Sequence, residues 1–279
     1  MRKNNRKFDQ ARNLSIVPNF QKNAIGSVLI KFEDTQVICS TNISNNIPRW
    51  LLNKNQGWIT AEYNMLPNSS SERVSRDRGG KLSGRTQEIQ RLIGRTLRQA
   101  VDLSLIPGIV ITVDCDVLNA DGGTRTASIT GSYISTYIAL KNYYNSNPKK
   151  YFKNQVAAIS LGKVDGEIYL DLDYSEDSIA DFDMNLVLNS DLEIIEIQGT
   201  SEKELLSFEE LNKLLKIGSE GINKILEKQN EIINENTFQE GKILTGQYYM
   251  KNILPKTNYL AKKILSGDKI IMSLNTEQF

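Results

Sequence analysis

The chain has 279 residues, 34 Lys and Arg against 33 Asp and Glu, a formal net charge of +1 and 39% hydrophobic residues. This composition is typical of a soluble globular protein, and no apolar run approaches the roughly 18 residues that a transmembrane helix needs. Histidine is absent, which excludes a Ser–His–Asp or Cys–His mechanism and any metal site built on imidazole.

The residue pattern of the first half predicts strands followed by helices. In chain order, the predicted elements are strands Gly26–Phe32, Thr35–Ser40, Trp58–Tyr63 and Ile109–Val117, a helix from Arg85 and a helix over residues 124–143. The first two strands alternate apolar and polar residues around a short turn, which is typical of a β-hairpin. The segment Asn68–Gly84 is polar and without periodicity, so it predicts a mobile loop.

The second half repeats a similar order of elements. It predicts strands Val156–Val164, Glu167–Asp173, Asp183–Leu188 and Asp191–Gln198, followed by a helix that begins near Ser207. Ser207 and Glu210 form a capping box, which marks the start of that helix. Strands followed by helices, twice over, predict an α+β fold of two related halves. We place these halves at residues 1–145 and 146–240, and residues 241–279 form a C-terminal extension of unknown role.

Two features bear on the location of the protein. The N-terminal stretch, residues 1–13, is basic but no apolar segment follows it, so a signal peptide is not expected. Cys39 and Cys115 each lie in a β-branched run, and two such cysteines fit a reducing cytosol better than a disulfide framework. We therefore predict a cytoplasmic protein that does not interact with membranes.

The charges are unevenly distributed along the chain. Up to Thr126 there are 18 Lys and Arg against 11 Asp and Glu, and from Ala127 onward there are 16 against 22. All twelve arginines lie at or before Arg125. Because arginine binds phosphate with a planar, bidentate fork, the first half is predicted to bind phosphate or nucleic acid. Chance clustering is the alternative.

A glycine turn between a predicted strand and a predicted helix forms a candidate anion site. Gly122 and Gly123 let the backbone approach a ligand closely, and the free amides of the helix start attract an anion. The hydroxyls of Thr124 and Thr126 and the guanidinium of Arg125 complete this site, and Arg85 opens the other helix at a similar junction. The alternatives are a simple turn and an exposed cation at a helix start.

Two further groups of charged residues are candidates for binding. The loop cations Arg73, Arg76, Arg78 and Lys81 can follow a phosphodiester backbone, or they form a solvated charge run. Six carboxylates lie within thirteen residues, at Asp171, Asp173, Glu176, Asp177, Asp181 and Asp183. Oxygen ligands without His or Cys suit Mg²⁺ or Mn²⁺, which usually take one or two carboxylates plus substrate oxygens. An acidic strand end without a metal is the alternative.

Five ordered motifs closely resemble bacterial ribonuclease PH. They are QGWITAEYNMLP (Gln56–Pro67), GRTQEIQRLIGRTLRQAVDL (Gly84–Leu103), DCDVLNADGGTRTASITG (Asp114–Gly131), DLDYSEDSIADFDMN (Asp171–Asn185) and EIQGT (Glu196–Thr200). The similarity extends from about Arg6 to Gln229. The chain departs from the family at Asn68, where an arginine is common.

The resemblance implies a fold of two halves of the ribosomal protein S5 domain 2-like type, assembled as a homohexamer (a trimer of dimers). It implies a phosphate-dependent 3′→5′ exoribonuclease that trims tRNA precursors and other RNA 3′ ends. In such an enzyme inorganic phosphate, a co-substrate, attacks the terminal phosphodiester and releases a nucleoside diphosphate. Because phosphate itself is the nucleophile, no histidine is needed to activate a side chain.

The resemblance also assigns roles to residues of this chain. The family's phosphate ligands fall on Arg85, Gly123, Thr124 and Arg125, its catalytic, metal-binding aspartates on Asp177 and Asp183, and its RNA-contacting arginines on Arg73 and Arg76. The implied metal is Mg²⁺ (or Mn²⁺). The alternatives are a related enzyme, such as an archaeal exosome catalytic subunit, and a non-catalytic RNA-binding ring subunit of an exosome-like assembly. Non-catalytic subunits typically lose the phosphate arginines or the aspartate pair, and this chain has both.

Overall fold

The computed structural model describes residues 2–76 and 82–238 of the chain. Contacts divide the chain into two units, Met1–Asn234 and Glu235–Phe279. The predicted extension, residues 241–279, lies outside the described residues, as do the loop cations Arg78 and Lys81. None of the described helices is both long and apolar enough to cross a membrane.

The first half is a five-stranded sheet with two helices. Its elements are β1 (Leu14–Pro18), β2 (Gly26–Phe32), β3 (Thr35–Ser44), β4 (Trp58–Met65), α1 (Gly84–Ala100), β5 (Val110–Asn119) and α2 (Thr124–Tyr144). The strands lie in the order β1-β2-β3-β5-β4, with only β4 and β5 parallel. The apolar stripe of α1 packs on this sheet, and both helices begin at the same end of the fold, beside the cleft between the halves.

The second half is a four-stranded antiparallel sheet covered by a long helix. Its elements are β6 (Val156–Val164), β7 (Glu167–Leu170), α3 (Tyr174–Asp177), β8 (Phe182–Asn189), β9 (Ile194–Ser201) and α4 (Phe208–Phe238). The strand order is β7-β6-β8-β9. The predicted capping box starts α4, since Ser207 N donates to Glu210 Oε2 at 2.8 Å and Glu210 N donates to Ser207 Oγ at 3.2 Å. The predicted α+β fold of two halves is confirmed.

Helix α2 joins the two halves. Sixteen of its 21 residues are buried, because the helix packs on β2 and β3 on one side and on β6 on the other. The approach is close enough that a Cβ atom at Gly26 would lie 2.2 Å from the carbonyl oxygen of Ser135. The N-terminal end of α2, which carries the glycine turn, is therefore held between both halves.

Several strands differ from the prediction in their bounds, and β3, for example, ends at Ser44 rather than at Ser40. The short strand β1, which pairs with β2, was not predicted. The strand predicted to end at Asp173 ends at Leu170, because Asp171 has a φ of 55° and turns the chain out of the sheet. The strand predicted from Asp191 begins at Ile194, because the Asn189 side chain accepts hydrogen bonds from two backbone amides and forms a turn there.

Candidate active site

A cleft of about 1050 Å³ lies between the two halves. Seven of the eight predicted site residues line it: Arg73, Arg85, Gly123, Thr124, Arg125, Asp177 and Asp183. The eighth, Arg76, is exposed and lies outside the lining. The fold thus brings residues from the starts of α1 and α2 together with residues of α3 and β8.

The glycine turn packs closely against the second half. Gly122 and Gly123 have φ values of 74° and 66°, in the left-handed region that glycine adopts without strain. A Cβ atom at Gly122 would lie 2.5 Å from the carbonyl oxygen of Leu172. Gly123 is the N-cap of α2, and no side chain in residues 2–76 or 82–238 caps this helix, which leaves its first amides available to an anion.

Two side chains that sequence reasoning did not select hold residues of the predicted phosphate site. The buried Tyr63 hydroxyl lies 2.8 Å from the Thr124 hydroxyl. Arg125 Nη1 donates to Gln198 Oε1 at 3.2 Å, and the Gln198 amide donates in turn to Glu88 of α1. Both residues lie in motifs that resemble the family, but a single sequence does not reveal which partner a side chain has.

Arg85 is exposed at the second residue of α1. The N-cap of this helix is Ser83, whose hydroxyl accepts a hydrogen bond from Thr86 N at 3.1 Å. The first turn of α1 contains no acidic residue, so nothing in its own helix start neutralises Arg85. Since the positive end of the helix dipole disfavours a cation, this position suits an arginine that binds an anion.

Asp177 and Asp183 face the cleft as carboxylates without a salt bridge among the described residues. Partial removal from water raises the pKa of both, and the charge of Asp183 raises the pKa of Asp177 further. The positive charges of Arg125 and Arg85 oppose these increases. Within residues 2–76 and 82–238 no three His, Cys, Asp or Glu gather in a possible metal site, but Mg²⁺ usually takes only one or two carboxylates.

Three other carboxylates of the acidic group are bound by arginines from the N-terminal segment. This arginine–carboxylate cluster pairs Arg12 with Asp171 at 2.7 Å, Arg6 with Asp173 at 3.1 Å and Arg2 with Glu176 at 2.7 Å. All six residues are buried. The hypothesis that the whole acidic group serves a metal is therefore wrong for these three carboxylates. The hypothesis that arginines mark phosphate binding is likewise wrong for their three partners.

The cluster also fixes the start of α3. The Asp173 carboxylate accepts from Glu176 N at 3.1 Å, and the Glu176 carboxylate accepts from Asp173 N at 3.1 Å, which forms a capping box. Burial alone would raise the pKa of Asp173, but the hydrogen bonds that its carboxylate accepts from the Ser175 hydroxyl and from Glu176 N, together with the charges of Arg6 and Arg12, lower it. Asp177 is the last residue of α3, so the cluster positions it.

The segment before α1 is held at two points. Val74 N donates to the carbonyl of Pro67 at 2.8 Å, and Ala120 N donates to the carbonyl of Ser69 at 2.7 Å. The predicted mobile loop is therefore bonded to the fold near its beginning. This places Arg73 on the wall of the cleft.

Comparisons with known proteins agree with this architecture. Models of the 3′ exoribonuclease family match residues 10–141 (domain 1) and 154–221 (domain 2). A protein of Syntrophomonas wolfei named Ribonuclease PH is 49% identical over 222 residues, which cover 77% of this chain and 92% of the relative. This chain belongs to the ribonuclease PH family. It is a phosphorolytic 3′→5′ exoribonuclease.

Solved structures of exosome proteins share the fold of this ribonuclease PH family member. Rice (Oryza sativa) Rrp46 is 18% identical, with a TM-score of 0.67 over 82% of this chain and 98% of the rice chain. A chain of the Archaeoglobus fulgidus exosome with RNA bound to the active site is 22% identical, with a TM-score of 0.68 over 80% and 90%. At these identities the likeness shows the fold alone, and the more similar relative outweighs the exosome alternatives.

Proposed function

We propose that this exoribonuclease trims the 3′ ends of tRNA precursors, with phosphate, metal and RNA bound by the residues that the family resemblance assigns. The observation that carries the proposal is the composition of a single cleft. Its lining contains three arginines and the start of α2, which attract anions, together with two carboxylates that form no salt bridge among the described residues.

The attacking phosphate is bound by Arg85, Arg125, the Thr124 side chain and the backbone amides that follow Gly123. Attack on the terminal phosphodiester requires two mutually repelling anions to lie close together and in line. Positioning and electrostatic stabilisation dominate such phosphoryl-transfer reactions. Fixed donors in a cleft stabilise the charge that develops without needing to reorganise during the reaction.

Asp177 and Asp183 hold Mg²⁺ or Mn²⁺. The donor set fits the ion, because both ligands are oxygen atoms and the two carboxylates repel each other, which raises the pKa of Asp177. A bound cation supplies charge neutralisation at the scissile phosphate. One of the two, in its protonated carboxylic acid form, would donate a proton to the leaving 3′ oxygen of the RNA and become a carboxylate.

Arg73 and Arg76 contact the RNA backbone at the entrance of the cleft. Support comes from their exposure, and from the place of Arg73 on the cleft wall.

The protein assembles as a homohexamer in the cytoplasm. Ile194 and Ile197 on the edge strand β9 are 57% and 40% exposed, and an assembly would cover such an apolar edge. Residues 241–279 are dispensable for chemistry in this proposal.

The test is an assay on a tRNA precursor with an unprocessed 3′ trailer, labelled at its 3′-terminal nucleotides. We expect labelled nucleoside diphosphate only when phosphate and Mg²⁺ are both present, and trimming that slows at the mature end. A generic single-stranded RNA of equal length is the control for substrate preference. Monophosphate release without phosphate would contradict the proposed chemistry. Equal trimming of both substrates, including into the tRNA body, would contradict the substrate.

The alternative of a non-catalytic RNA-binding ring subunit is an outcome of the same assay. It predicts RNA binding without product in any buffer. The presence of Asp177 and Asp183 in the cleft, without a salt bridge in the described part of the chain, argues against it, because a protein that only binds an anionic ligand gains nothing from two carboxylates in its binding cleft.

A further inference from the structure

Arg12 joins the glycine turn of the first half to the segment that precedes α3 in the second half. Its guanidinium binds the Asp171 carboxylate through two nitrogens, at 2.9 Å and 2.7 Å, and donates to the carbonyl of Leu172 at 3.2 Å. The same group donates to the carbonyls of Asp121 and Gly122 in the turn. One buried side chain thus spans both sides of the junction.

Thr35, at the start of β3, is a second connection at the same junction. Its hydroxyl accepts hydrogen bonds from Arg12 Nη1 at 3.2 Å and from Asp121 N at 3.0 Å. It donates to the carbonyl of Gly122 at 2.7 Å. Thr35 is fully buried, so water does not replace these bonds.

The junction connects two groups with proposed chemical roles. On one side, Gly122 leads directly into Gly123 and the start of α2. On the other side, the segment after Asp171 leads into α3, which ends at Asp177. Movement of the turn relative to Leu172 would therefore change the distance between the phosphate-binding amides and the Asp177 carboxylate.

We propose that Arg12 and Thr35 are positioning residues that set the separation between the phosphate-binding turn and Asp177. The proposal rests on the proposed functions of these two groups. Arg12 itself does not bind substrate, because it is 4% exposed, does not line the cleft and uses its guanidinium donors on protein groups. Thr35 is absent from the cleft lining too. Both act through the groups that they hold.

The physical reason is the steep dependence of this chemistry on geometry. A displacement of about 1 Å can reduce a rate by about 100-fold, and loss of a residue that orients a metal-binding side chain typically reduces metal affinity or activity by about 10- to 100-fold. The two connections come from the N-terminal segment and β3, which contain no residue assigned to phosphate, metal or RNA. Their effect on the reaction is therefore separable from direct binding.

Thr35→Val is the main test, because it removes the hydroxyl while keeping the volume and branching of the side chain. We expect kcat/KM for phosphate to fall by about 10- to 100-fold, through both a lower kcat and a higher KM. Phosphate alone should raise the Tm of this variant less than it raises the Tm of the unaltered protein. Thr35→Ser keeps the hydroxyl and should restore both measurements.

Thr136→Val is the matched control. Thr136 in α2 is equally buried, and its hydroxyl has no hydrogen-bond partner among the described residues. This variant should leave kcat, the KM for phosphate and the phosphate-induced change in Tm unaltered. A Thr35→Val protein that matches it in all three measurements would overturn the proposal. So would a Thr35→Ser protein as impaired as Thr35→Val.

Arg12→Lys tests the same junction if Thr35→Val does not fold. It keeps the positive charge but cannot bridge both segments with a fork, and it should show the same joint loss in kcat and KM. Normal kinetics in Arg12→Lys would overturn the proposal.

Arg125→Ala distinguishes this failure from failure of the proposed function. If Arg125→Ala impairs phosphate binding but the junction variants do not, only the positioning role is wrong. If Arg125→Ala leaves phosphate binding unchanged, the proposed phosphate site and the proposed positioning role are both contradicted.

Discussion

The buried arginine–carboxylate cluster and the open cleft contain the same residue types in opposite electrostatic states. In the cluster, every carboxylate is paired with an arginine and excluded from water. In the cleft, Asp177 and Asp183 have raised pKa values and no salt bridge among the described residues. The two regions meet along one short segment, since α3 begins in the cluster and ends in the cleft.

This difference shows how an acidic stretch is divided between structure and chemistry. The cluster lowers the pKa of Asp173, which stabilises the folded state at neutral pH. The cleft carboxylates do the opposite, because a raised pKa in the folded state means that ionisation destabilises the fold. Such a destabilised pair is suited to binding a cation, and the neighbouring cluster holds it in place.

The largest expected effect is a loss of stability when the cluster is broken. Asp171→Asn should lower the free energy of unfolding by about 3–5 kcal/mol, because it leaves the buried charge of Arg12 uncompensated. Denaturant unfolding measures this change. The control is Glu196→Gln, which breaks the exposed pair between Arg95 and Glu196 and should cost less than about 1 kcal/mol. If the two variants lose the same free energy of unfolding, the buried cluster stabilises the fold no more than an exposed salt bridge does.

The next effect is a loss of turnover without a loss of stability. Asp177→Asn and Asp183→Asn should each lower kcat by at least about 100-fold, because each removes charge from the proposed metal site without changing volume. Single-turnover kinetics at saturating phosphate measure this effect. Asp181→Asn is the control, since Asp181 lies between the two in sequence but does not line the cleft. Unfolding of both variants would show that these carboxylates are structural.

These two outcomes bear on how much the sequence could predict. Local patterns predicted most strands and helices, the capping box at Ser207 and the meeting of the glycine turn with α2. The family resemblance selected seven residues that line one cleft, six of them within the quoted motifs. Local patterns depend only on residues a few positions apart. The family motifs assign roles to individual positions of this chain. Neither kind of prediction therefore requires knowing which distant residues contact each other.

The cluster was missed because its pairs are distant in the chain. Arg2 and Glu176 are 174 positions apart, and Arg12 and Asp171 are 159 apart. A single sequence shows six clustered carboxylates but does not show that half of them are already neutralised. The same reason explains why Tyr63, Gln198 and Thr35 were not selected.

A smaller effect is expected in the dependence of stability on pH. The pKa of Asp177 is raised in the folded state, so its ionisation lowers the stability as the pH rises from the ordinary range of an aspartate to the raised pKa, with the full cost present above that pKa and none below the ordinary range. In EDTA, Asp177→Asn should therefore have a Tm a few degrees higher at pH 7, and this gain should vanish in acid. Thermal unfolding across pH measures it. A lower Tm at pH 7 would mean that the Asp177 charge is stabilising.

The smallest effect is expected when the exposed Arg76 is changed. Unlike Arg6, Arg76 is exposed, and in the proposed function it contacts only the RNA backbone. Arg76→Ala should raise the KM for RNA a few-fold and reduce the slope of log affinity against log salt concentration by about 0.7 to 1, the loss of one phosphate contact. The kcat at saturating RNA and the Tm should stay unchanged, because no buried charge loses its partner. The measurements are steady-state kinetics on a short RNA at several salt concentrations and one thermal unfolding curve.

Arg6→Ala is the comparison, since it should lower the Tm strongly by leaving Asp173 without its closest cation. A loss of turnover in Arg76→Ala at saturating RNA would mean that Arg76 contributes to the chemical step and not only to RNA binding.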